Sequence, residues 1–384
     1  MTASAQGSSC SRTGKGVGPG RSPDLGSTVG VGGLEEPRVI AVVLNWNNLP
    51  DTLECVASLY RSDYPKLDVW VVDNDSNEDP TQALGEQHPG VRVVRNAGNL
   101  GYGGGNNAGL RLAIQEGAAY ILLMNNDAVV APDMVRRLVA VMEDDPRVGF
   151  ATPRVFYYDR PTEVYWDGGT IDWDTGDTPH DSRGLPVSGD VRQSEWLDTC
   201  VVLARVTAIH DVGPLDERYF LYFEDTEWTL RAARRGWINA VVLPAQAWHK
   251  VSRSTGGIAN PAIRFYNIRN KYLFITEHSP SRKTLWWKLG YAYDLSRHYA
   301  WVRSQHKSRR AVIAAFLSLS RREWGPYHAE GPSRKTVRLL DTVILSGVYA
   351  ALAVKRSAGL PKRVLRRLLR TLQPLRARIR SWRP

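Results

Sequence analysis

The chain has 384 residues, of which 43% are hydrophobic and 23% are charged, and its formal net charge is +11. This length allows one large hydrophobic core or two modest ones. Cys10, Cys55 and Cys200 are far apart and form no CxxC pair, which argues against a disulfide framework or a zinc cluster and favours a reducing setting. No continuous apolar segment follows the basic residues of the N-terminus, so we expect no signal peptide.

The net charge is distributed unevenly along the chain. Residues 264–384 contain 27 Lys and Arg but only 5 Asp and Glu, whereas residues 1–263 contain 23 and 34. An acidic front part joined to a strongly basic back part is not typical of a generic globular domain. Residues 1–36 are rich in Gly and Ser and poor in large apolar side chains, which predicts a disordered N-terminal arm.

From Arg38 onward, apolar runs of strand length alternate with segments of helical periodicity. The sequence predicts strands at RVIAVVLNW, LDVWVVDND, GVRVVRN, YILLMNND and VGFATPRVFYY. The intervening helices are predicted at DTLECVASLYRS, with Asp51 as N-cap, at GGGNNAGLRLAIQEG and at PDMVRRLVAVMEDD. A strand and short helix at VVLARVTAIHDVG, a helix at DTEWTLRAARRGW and a last short strand at NAVVLP follow. This alternation predicts an α/β fold with a doubly wound, largely parallel sheet and flanking helices.

Two regions depart from the alternation. Residues 157–196 are polar and rich in Gly, Asp and Trp, which predicts loops and short strands over a crevice. After residue 262 the chain carries aromatic and basic segments, which predict helices at FYNIRNKYLFI, TLWWKLGYAYDLSRHYAWV, AVIAAFLSLS and VRLLDTVILSGVYAALAV. We therefore predict an α/β domain at 37–262, a helical region at 263–354 and a basic tail at 355–384. The apolar run Val343 to Val354 is too short to span a bilayer comfortably.

Three predicted strands end in polar residues, which are Asn45, then Asp73, Asn74 and Asp75, then Asn125, Asn126 and Asp127. The carboxyl ends of parallel strands share one edge of a sheet, where open α/β sheets bind ligands, so these groups could converge on one crevice. An apolar strand that ends in Asn-Asn-Asp is also consistent with a turn stabilised by those side chains. The sequence from Tyr120 to Asp127 alone is equally consistent with a turn and with a metal site.

Each of two further motifs could either bind a ligand through polar groups or form a turn. In NLGYGGGNNAGL, glycines let a backbone approach a diphosphate, but neither a dinucleotide-binding fingerprint nor a P-loop is present, and a flexible turn is equally consistent. In VVDNDSNED, amide and carboxylate groups could hydrogen-bond a pyrimidine or a ribose, or could stabilise an Asx-turn.

The stretch YFLYFEDTEWTLRAARRGW places Glu224, Asp225 and Glu227 beside aromatic residues at the start of a helix. Acids in a first helical turn can be ordinary partners of the helix dipole. Aromatic neighbours can also raise a carboxyl pKa and make the group a general base. Arg231 follows at helical spacing and could face phosphates. His249 and Asp127 could hold Mn²⁺ or Mg²⁺ together with diphosphate oxygens.

Taken in order, these motifs resemble family-2 glycosyltransferases of the GT-A fold, in the branch of bacterial rhamnosyltransferases and galactofuranosyltransferases. The resemblance covers about residues 38–275 and rests on the series VVLNWNN, VVDNDSNED, NLGYGGGNNAGL, LLMNND, GPLDERYFLYFEDTEWTLRAARRGW and AWH. It implies a GT-A type α/β domain with a C-terminal helical extension, acting in cell wall or polysaccharide synthesis.

The resemblance also implies roles for individual residues. Asp225 matches the catalytic base, with Glu224 next to it, and Asp127 and His249 match ligands of Mn²⁺ or Mg²⁺. The expected donor-binding residues come from the strand ends, the glycine loop and the acidic helix, and they are Leu44, Asn45, Trp46, Asp73, Asn74, Asp75, Asn99, Gly101, Gly104, Asn107, Asn125, Asn126 and Arg231.

The implied reaction is metal-assisted single displacement with inversion. A rhamnose-like sugar, or alternatively galactofuranose, would pass from a dTDP- or UDP-sugar to a hydroxyl of a glycan or a lipid-linked acceptor. Two departures stand out: Asn125 occupies the first position of the Asp-x-Asp metal motif, and Thr199 and Cys200 stand where relatives often have glycine. A non-catalytic protein that binds nucleotide sugars or carbohydrate on a degenerate scaffold is the alternative.

The basic C-terminal part lies outside these motifs. Its aromatic and basic helices suit an anionic membrane surface, which predicts a cytoplasmic protein or a peripheral one on the inner face of the cell membrane. A solvated helical tail is the alternative. We expect no nucleic-acid partner, because no nucleic-acid motif accompanies the charge.

Overall fold

A single mixed sheet organises the computed structural model, which describes residues 36–173, 175–251, 260–279 and 306–328. Its eleven strands in this part of the chain are β1 (Val39–Asn45), β2 (Leu67–Asp73), β3 (Arg92–Arg95), β4 (Tyr120–Asn125), β5 (Ala128–Val130), β6 (Val148–Tyr157), β7 (Val164–Trp166), β8 (Val187–Ser188), β9 (Val191–Gln193), β10 (Val201–Arg205) and β11 (Ile238–His249). The helices described are α1 (Leu49–Tyr60), α2 (Thr81–Gln87), α3 (Gly101–Gln115), α4 (Met134–Asp144), α5 (Val206–Val212), α6 (Glu224–Arg234), α7 (Pro261–His278) and α8 (His306–Arg321).

The order of strands across the sheet is β3-β2-β1-β4-β10-β6-β11-β9-β8. The first four strands are parallel to one another, β10 is antiparallel to both of its neighbours, and β6 and β11 are parallel. The register places Asn45 opposite Asp73 and Leu44 opposite Asn125. The polar ends of β1, β2 and β4 therefore lie side by side, and the predicted α/β class is confirmed.

The parallel strands are apolar along almost their whole length because helices cover both faces. Val39 to Val43 in β1 and Ile121 to Met124 in β4 are fully buried. Helix α3 lies close against the sheet, since a Cβ at Gly109 would stand 2.4 Å from Val42. The α7 residues Leu273, Phe274 and Ile275 belong to the same core. The N-terminal half of α7 forms a second apolar cluster with α8.

The structure corrects several sequence-based boundaries. Helix α1 begins at Leu49 with Asn48 in the N-cap position, so that Asp51 lies in the first turn rather than at the cap. Helix α2 was not predicted. The last strand, expected to be short, runs for 12 residues because a bulge between Val242 and Gln246 lets it continue beside β6. The N-terminal arm, the helices predicted at 284–302 and 337–354 and the basic tail lie outside the described residues.

Helices α7 and α8 confirm two of the helical segments predicted for the C-terminal region. Within the residues described here, no helix combines the length and the apolar character needed to cross a membrane.

Gly101 and Gly117 offer a matched test of the close approach at the start of α3. Both have φ near the left-handed region, +75° and +79°. A Cβ at Gly101 would stand 2.4 Å from the backbone oxygen of Phe220, whereas a Cβ at Gly117 meets nothing within 4 Å. We expect Gly117→Ala to lower the free energy of unfolding by about 1 kcal/mol through backbone strain, and Gly101→Ala to lower it by about 1–3 kcal/mol more.

Urea unfolding of the two variants, followed by circular dichroism, measures this difference. Equal losses for Gly101→Ala and Gly117→Ala would show that the contact with Phe220 does not constrain the loop.

Candidate active site

Two pockets lie at the edge where the parallel strands end. One, the polar pocket, is lined by Asn45, Asn47, Asn48, Leu49, Pro50, Ser76, Asn77 and Glu78. The other, the carboxylate pocket, is lined on its polar side by Asn125, Asp198, Glu224, Asp225 and His249. The segment from Asn125 to Asp127 connects them, because Asn125 lines the carboxylate pocket and the Asn126 amide bonds to Asn45 and Asn48 in the wall of the polar pocket.

A chain of amide contacts fixes the wall of the polar pocket. The Asn45 amide donates to Asp73 Oδ1 at 2.7 Å, and Thr52 Oγ1 donates to Asn45 Oδ1 at 2.8 Å. Asn126 Nδ2 in turn donates to Thr52 Oγ1 at 2.9 Å. All four residues are buried. The end of β1, the end of β2 and the turn after β4 are therefore locked together before any ligand enters.

The carboxylate of Asp73 is fully buried but balanced. Arg95 Nε donates to its Oδ2 at 2.9 Å. The next residue, Asn74, bonds to the glycine loop through both ends of its amide. Its Nδ2 donates to Asn99 Oδ1 at 3.1 Å and to Gly101 O at 3.0 Å, and its Oδ1 accepts from Leu100 N at 3.1 Å. Asp75 and Trp46 remain exposed. Of these predicted donor-binding residues, Asp73 thus holds Asn45 and Arg95, Asn74 holds the glycine loop, and Asp75 and Trp46 are exposed to a ligand.

Four other predicted donor-binding residues have structural contacts. Gly104 and Asn107 lie inside α3 rather than in a loop, and the Asn107 amide bonds to the backbone of Leu215 in both directions. The side chain of Leu44 packs against α3 at Gly105. The expectation that Arg231 faces a phosphate is wrong, because its guanidinium is used by Glu227, Val212 and Pro214.

Glu224 and Asp225 are the first residues of α6, and both line the carboxylate pocket. Asp225 Oδ1 accepts from its neighbour's amide, Thr226 N, at 2.6 Å. Glu224 is 4% exposed, and its Oε2 has no hydrogen-bond partner in the part of the chain that the structure describes. Burial and the nearby charge of Asp225 raise the pKa of Glu224, while burial and the charge of Asp198 raise the pKa of Asp225. Such groups are suited to exchange protons near neutral pH.

Asp127 and His249 form a buried pair beside Glu224 and Asp225, which we name the carboxyl dyad. His249 Nε2 and Asp127 Oδ1 are 3.0 Å apart. Although burial opposes the charged form, the hydrogen bond and charge of Asp127 together raise the pKa of His249. The Lys250 amide donates to Asp127 O at 3.0 Å, and Lys250 Nζ reaches Asp51 at 2.6 Å in α1. The end of β11 is therefore held to the turn after β4 by two polar contacts and to α1 by a third.

The pair fits a divalent metal by its chemistry and spacing. One carboxylate and one imidazole are suitable ligands of Mn²⁺, and two adjacent ligands at about 2.1 Å from an octahedral ion stand about 3 Å apart. The described residues contain no group of three or more His, Cys, Asp or Glu that could hold an ion. Any metal here would therefore need further oxygen ligands from a substrate or from water.

Several residues of the carboxylate pocket were not predicted from the sequence. Asp198 lies just before β10, and the rings of Tyr165, His180 and Trp196 stack edge to face or tilted along the same wall, with Tyr165 and His180 centroids 5.1 Å apart. Because β10 runs antiparallel to β4, the residues before it reach the same edge as Asn125, whose backbone N–H donates to Cys200 O at 2.8 Å. The acid in WLDTC, directly before an apolar strand, was the available signal.

Glu224→Gln tests the burial of the dyad without any substrate. The pKa of the Glu224 carboxyl is higher in the folded protein than in the unfolded chain. The folded protein therefore becomes less stable as the pH rises from the unfolded-state pKa to the folded-state pKa. The glutamine has no such loss. We expect the melting temperature of Glu224→Gln relative to the wild type to increase between pH 5 and pH 8.

Glu116→Gln is the control, because Arg92 lowers the pKa of Glu116, which gives the opposite sign. Its relative melting temperature should not increase over the same interval. A difference for Glu224→Gln that does not vary with pH would contradict an ionisable group buried at this position.

Comparison with known proteins is consistent with this geometry. The profile of the family described as Glycosyl transferase family 2 matches residues 40–191, and that of Glycosyl transferase family group 2 matches residues 120–327, which is more than half of the chain. Among solved structures, GalNAc-T7 with UDP, GalNAc and Mn²⁺ covers 56% of this chain and 43% of its own at 16% identity, with a TM-score of 0.48, which is too low to carry an argument.

Two curated relatives are similar to most of the α/β part. An N-acetylglucosaminyl-diphospho-decaprenol L-rhamnosyltransferase from Mycobacterium tuberculosis is 26% identical over 297 residues, which are 71% of this chain and 95% of the relative. A dTDP-rhamnosyl transferase, RfbF, from Shigella flexneri is 23% identical over 257 residues, 63% of this chain and 81% of the relative. With its carboxylate pocket and its profile match over residues 120–327, this chain belongs to glycosyltransferase family 2 and is a glycosyltransferase.

Proposed function

We propose that this glycosyltransferase moves a sugar from a nucleoside-diphosphate donor to an acceptor hydroxyl by single displacement with inversion. The observation that carries the proposal is the shared pocket, in which Asp225 and His249 line one cavity and Asp127 bonds to His249. A base for the acceptor and a site for the leaving diphosphate are thus available within one cavity. Single displacement requires both in the same place, because bond formation and bond cleavage occur together.

The donor proposed first is a dTDP-linked rhamnose-like sugar, with UDP-galactofuranose as the second candidate. The names of the two relatives support rhamnose, and that of RfbF supports dTDP. The polar pocket supplies amide and hydroxyl groups that suit a pyrimidine nucleoside, including Asn45, Asn47, Ser76 and Asn77. The aromatic wall of Tyr165, His180 and Trp196 suits the apolar face of a sugar ring.

Asp127 and His249 would hold Mn²⁺ or Mg²⁺ in this proposal. When bound, the ion supplies positive charge next to the diphosphate. Asn125, at the position of a further carboxylate, contributes no charge, and its Oδ1 is buried without a hydrogen-bond partner in the described residues. An orphaned amide oxygen beside the pair is a suitable acceptor for a ligand or for an ion's water.

Asp225 is the proposed base. Its carboxylate takes the proton of the acceptor hydroxyl while the acceptor oxygen forms a bond to the anomeric carbon. The bond between that carbon and the diphosphate oxygen breaks, and the nucleoside diphosphate leaves with the electron pair. The raised pKa of Asp225 brings its proton affinity closer to that of the hydroxyl in the transition state, which favours the transfer. The proposed acceptor is a lipid-linked glycan, supported by the name of the mycobacterial relative.

Asp225→Asn tests the base. We expect transfer from dTDP-rhamnose to a lipid-linked N-acetylglucosaminyl diphosphate to fall by about 10²–10⁴-fold, because the amide cannot accept the proton. The affinity for dTDP should stay within about twofold, since Asp225 is absent from the polar pocket.

Asp133→Asn is the matched control, because Asp133 is a half-buried acid at the N-cap position of α4 that pairs with Arg137 and lines neither pocket. It should transfer at the wild-type rate. Full activity of Asp225→Asn would remove Asp225 as the base, and a wild type that binds nucleotide but transfers nothing would favour the non-catalytic alternative.

A thermal-shift series tests the metal and the nucleotide together. We expect dTDP with Mn²⁺ to raise the melting temperature more than dTDP or Mn²⁺ alone, because a ligand that binds only the folded state stabilises it in proportion to its occupancy. In His249→Ala, the increase in melting temperature that depends on Mn²⁺ should be lost, and the increase that depends on dTDP should remain.

His210→Ala is the control, since His210 is an exposed histidine of α5. It should behave as the wild type. An identical Mn²⁺ response in His249→Ala would place the ion elsewhere, and a larger response to UDP than to dTDP would favour the second donor.

A further inference from the structure

The backbone that leads into the carboxyl dyad is held in an unusual conformation. The backbone φ angles of Phe220, Tyr222 and Phe223 are 63°, 69° and 73°. These angles lie in the left-handed region, which residues other than glycine rarely adopt. Phe223 is also the N-cap residue of α6, directly before Glu224 and Asp225. Such residues persist only where the surrounding structure imposes their conformation. Something must therefore hold the segment from Arg218 to Phe223, which we name the approach segment.

Two adjacent residues of α7 supply the contacts. The amide of Asn270 donates to three backbone oxygens of the approach segment, those of Tyr219 at 2.8 Å, Leu221 at 2.7 Å and Tyr222 at 2.7 Å. The guanidinium of Arg269 donates to Arg218 O at 3.1 Å and Tyr219 O at 2.6 Å. Nearly every carbonyl that the irregular backbone turns inward is thus satisfied from one helix.

The pair is itself anchored. Arg269 Nε donates to Asn270 Oδ1 at 2.9 Å, which orients the amide so that its nitrogen faces the approach segment. Arg269 Nη1 donates to Gly325 O at 2.8 Å, beyond the end of α8. Both side chains are almost completely buried, at 1% and 0% exposure. No Asp or Glu of the described residues forms an ion pair with Arg269, whose contacts are carbonyl oxygens, the Asn270 amide and aromatic rings.

One further carbonyl of the segment, that of Phe220, is bound from the opposite side. Tyr102 N in the glycine loop donates to Phe220 O at 2.6 Å. The approach segment is therefore clamped between the start of α3 and the middle of α7. Because α6 begins at its end, the direction in which Glu224 and Asp225 project depends on both contacts.

We propose that Arg269 and Asn270 are positioning residues, which impose the left-handed backbone of the approach segment and thereby direct Glu224 and Asp225 into the carboxylate pocket. This rests on the proposed function for its catalytic consequence. Neither residue lines the pocket, so neither is placed in contact with donor or acceptor. Helix α7 of the C-terminal extension then contributes to the geometry of the active site.

The first experiment needs no substrate. Hydrogen exchange, followed by mass spectrometry on peptides covering residues 218–227, compares the wild type with Asn270→Ala and Arg269→Lys. We expect the exchange of these amides to accelerate by about tenfold or more in both variants, while peptides covering β1 are unchanged. Lysine keeps the charge but cannot present the fork of donors, so Arg269→Lys separates geometry from charge.

Thr276→Val is the matched control on the same helix. Among the described residues, the Thr276 hydroxyl bonds only within α7, to Tyr272 O and Leu273 O, so its loss removes a hydrogen bond that does not involve the approach segment. We expect no change in the exchange of residues 218–227. Unchanged exchange in every folded variant at positions 269 and 270 would overturn the proposal, as would equal acceleration in Thr276→Val. If Asn270→Ala does not fold, Arg269→Lys alone decides.

The second experiment measures transfer from dTDP-rhamnose. We expect kcat of Asn270→Ala and Arg269→Lys to fall by about 10²-fold, because a base displaced by about 1 Å loses its alignment, with KM for the donor within about threefold of the wild type. A purely structural role would lower the melting temperature and leave kcat of the folded enzyme intact. A wild type inactive with dTDP-rhamnose counts against the proposed donor, and the exchange experiment still decides the role of the pair.

Discussion

The hydrogen bonds on the two sides of β1 determine where the polar groups of the site lie. β1 pairs in parallel with β2 and with β4, which brings Asn45 level with Asp73 and Leu44 level with Asn125. Because β1 is apolar on both faces, alternation does not fix this register. A slip by one residue would instead separate Asn45 from Asp73 and break the hydrogen bond between their side chains. The polar residues that follow the three strands therefore reach the same edge, and the network from Asn45 through Thr52 to Asn126 forms there.

The two pockets differ in how their charges are balanced. In the wall of the polar pocket, the buried Asp73 is neutralised by Arg95. In the carboxylate pocket, Asp198, Glu224 and Asp225 have no ion pair with Lys or Arg in the described residues. A diphosphate near these carboxyl groups would be repelled. The proposed function accounts for both features, since the Asp127–His249 pair provides a place for positive charge, and uncompensated acids retain the proton affinity that a base needs.

The local parts of this arrangement could be predicted from sequence, and the long-range parts could not. The apolar runs of β1, β2 and β4 can be recognised in the sequence because strands buried on both faces consist mostly of apolar residues. The polar residues directly after each run then mark the end of the strand. Asp198 was missed because its importance depends on β10 running antiparallel, which no local pattern reveals. Arg231 was misread for the same reason, since helical spacing predicts that it is exposed but not that Glu227 and two carbonyls occupy it. The convergence of Asp225 with His249 was predicted only through the family resemblance.

Arg269 shows why the C-terminal helices cannot be treated as an appendage of the α/β part. Burying a guanidinium without a carboxylate is unfavourable, and burial lowers the pKa of Arg269 to about 10. An apolar side chain could fill the same space, but it would remove the donors of the Arg218 and Gly325 carbonyls and one of the donors of the Tyr219 carbonyl. Buried carbonyls of irregular backbone require partners as strictly as those of a helix. The irregular backbone before α6 and the buried cation of α7 therefore depend on each other. Helix α7 begins at Pro261 and spans the predicted boundary between residues 262 and 263, which places this dependence inside a single packed unit.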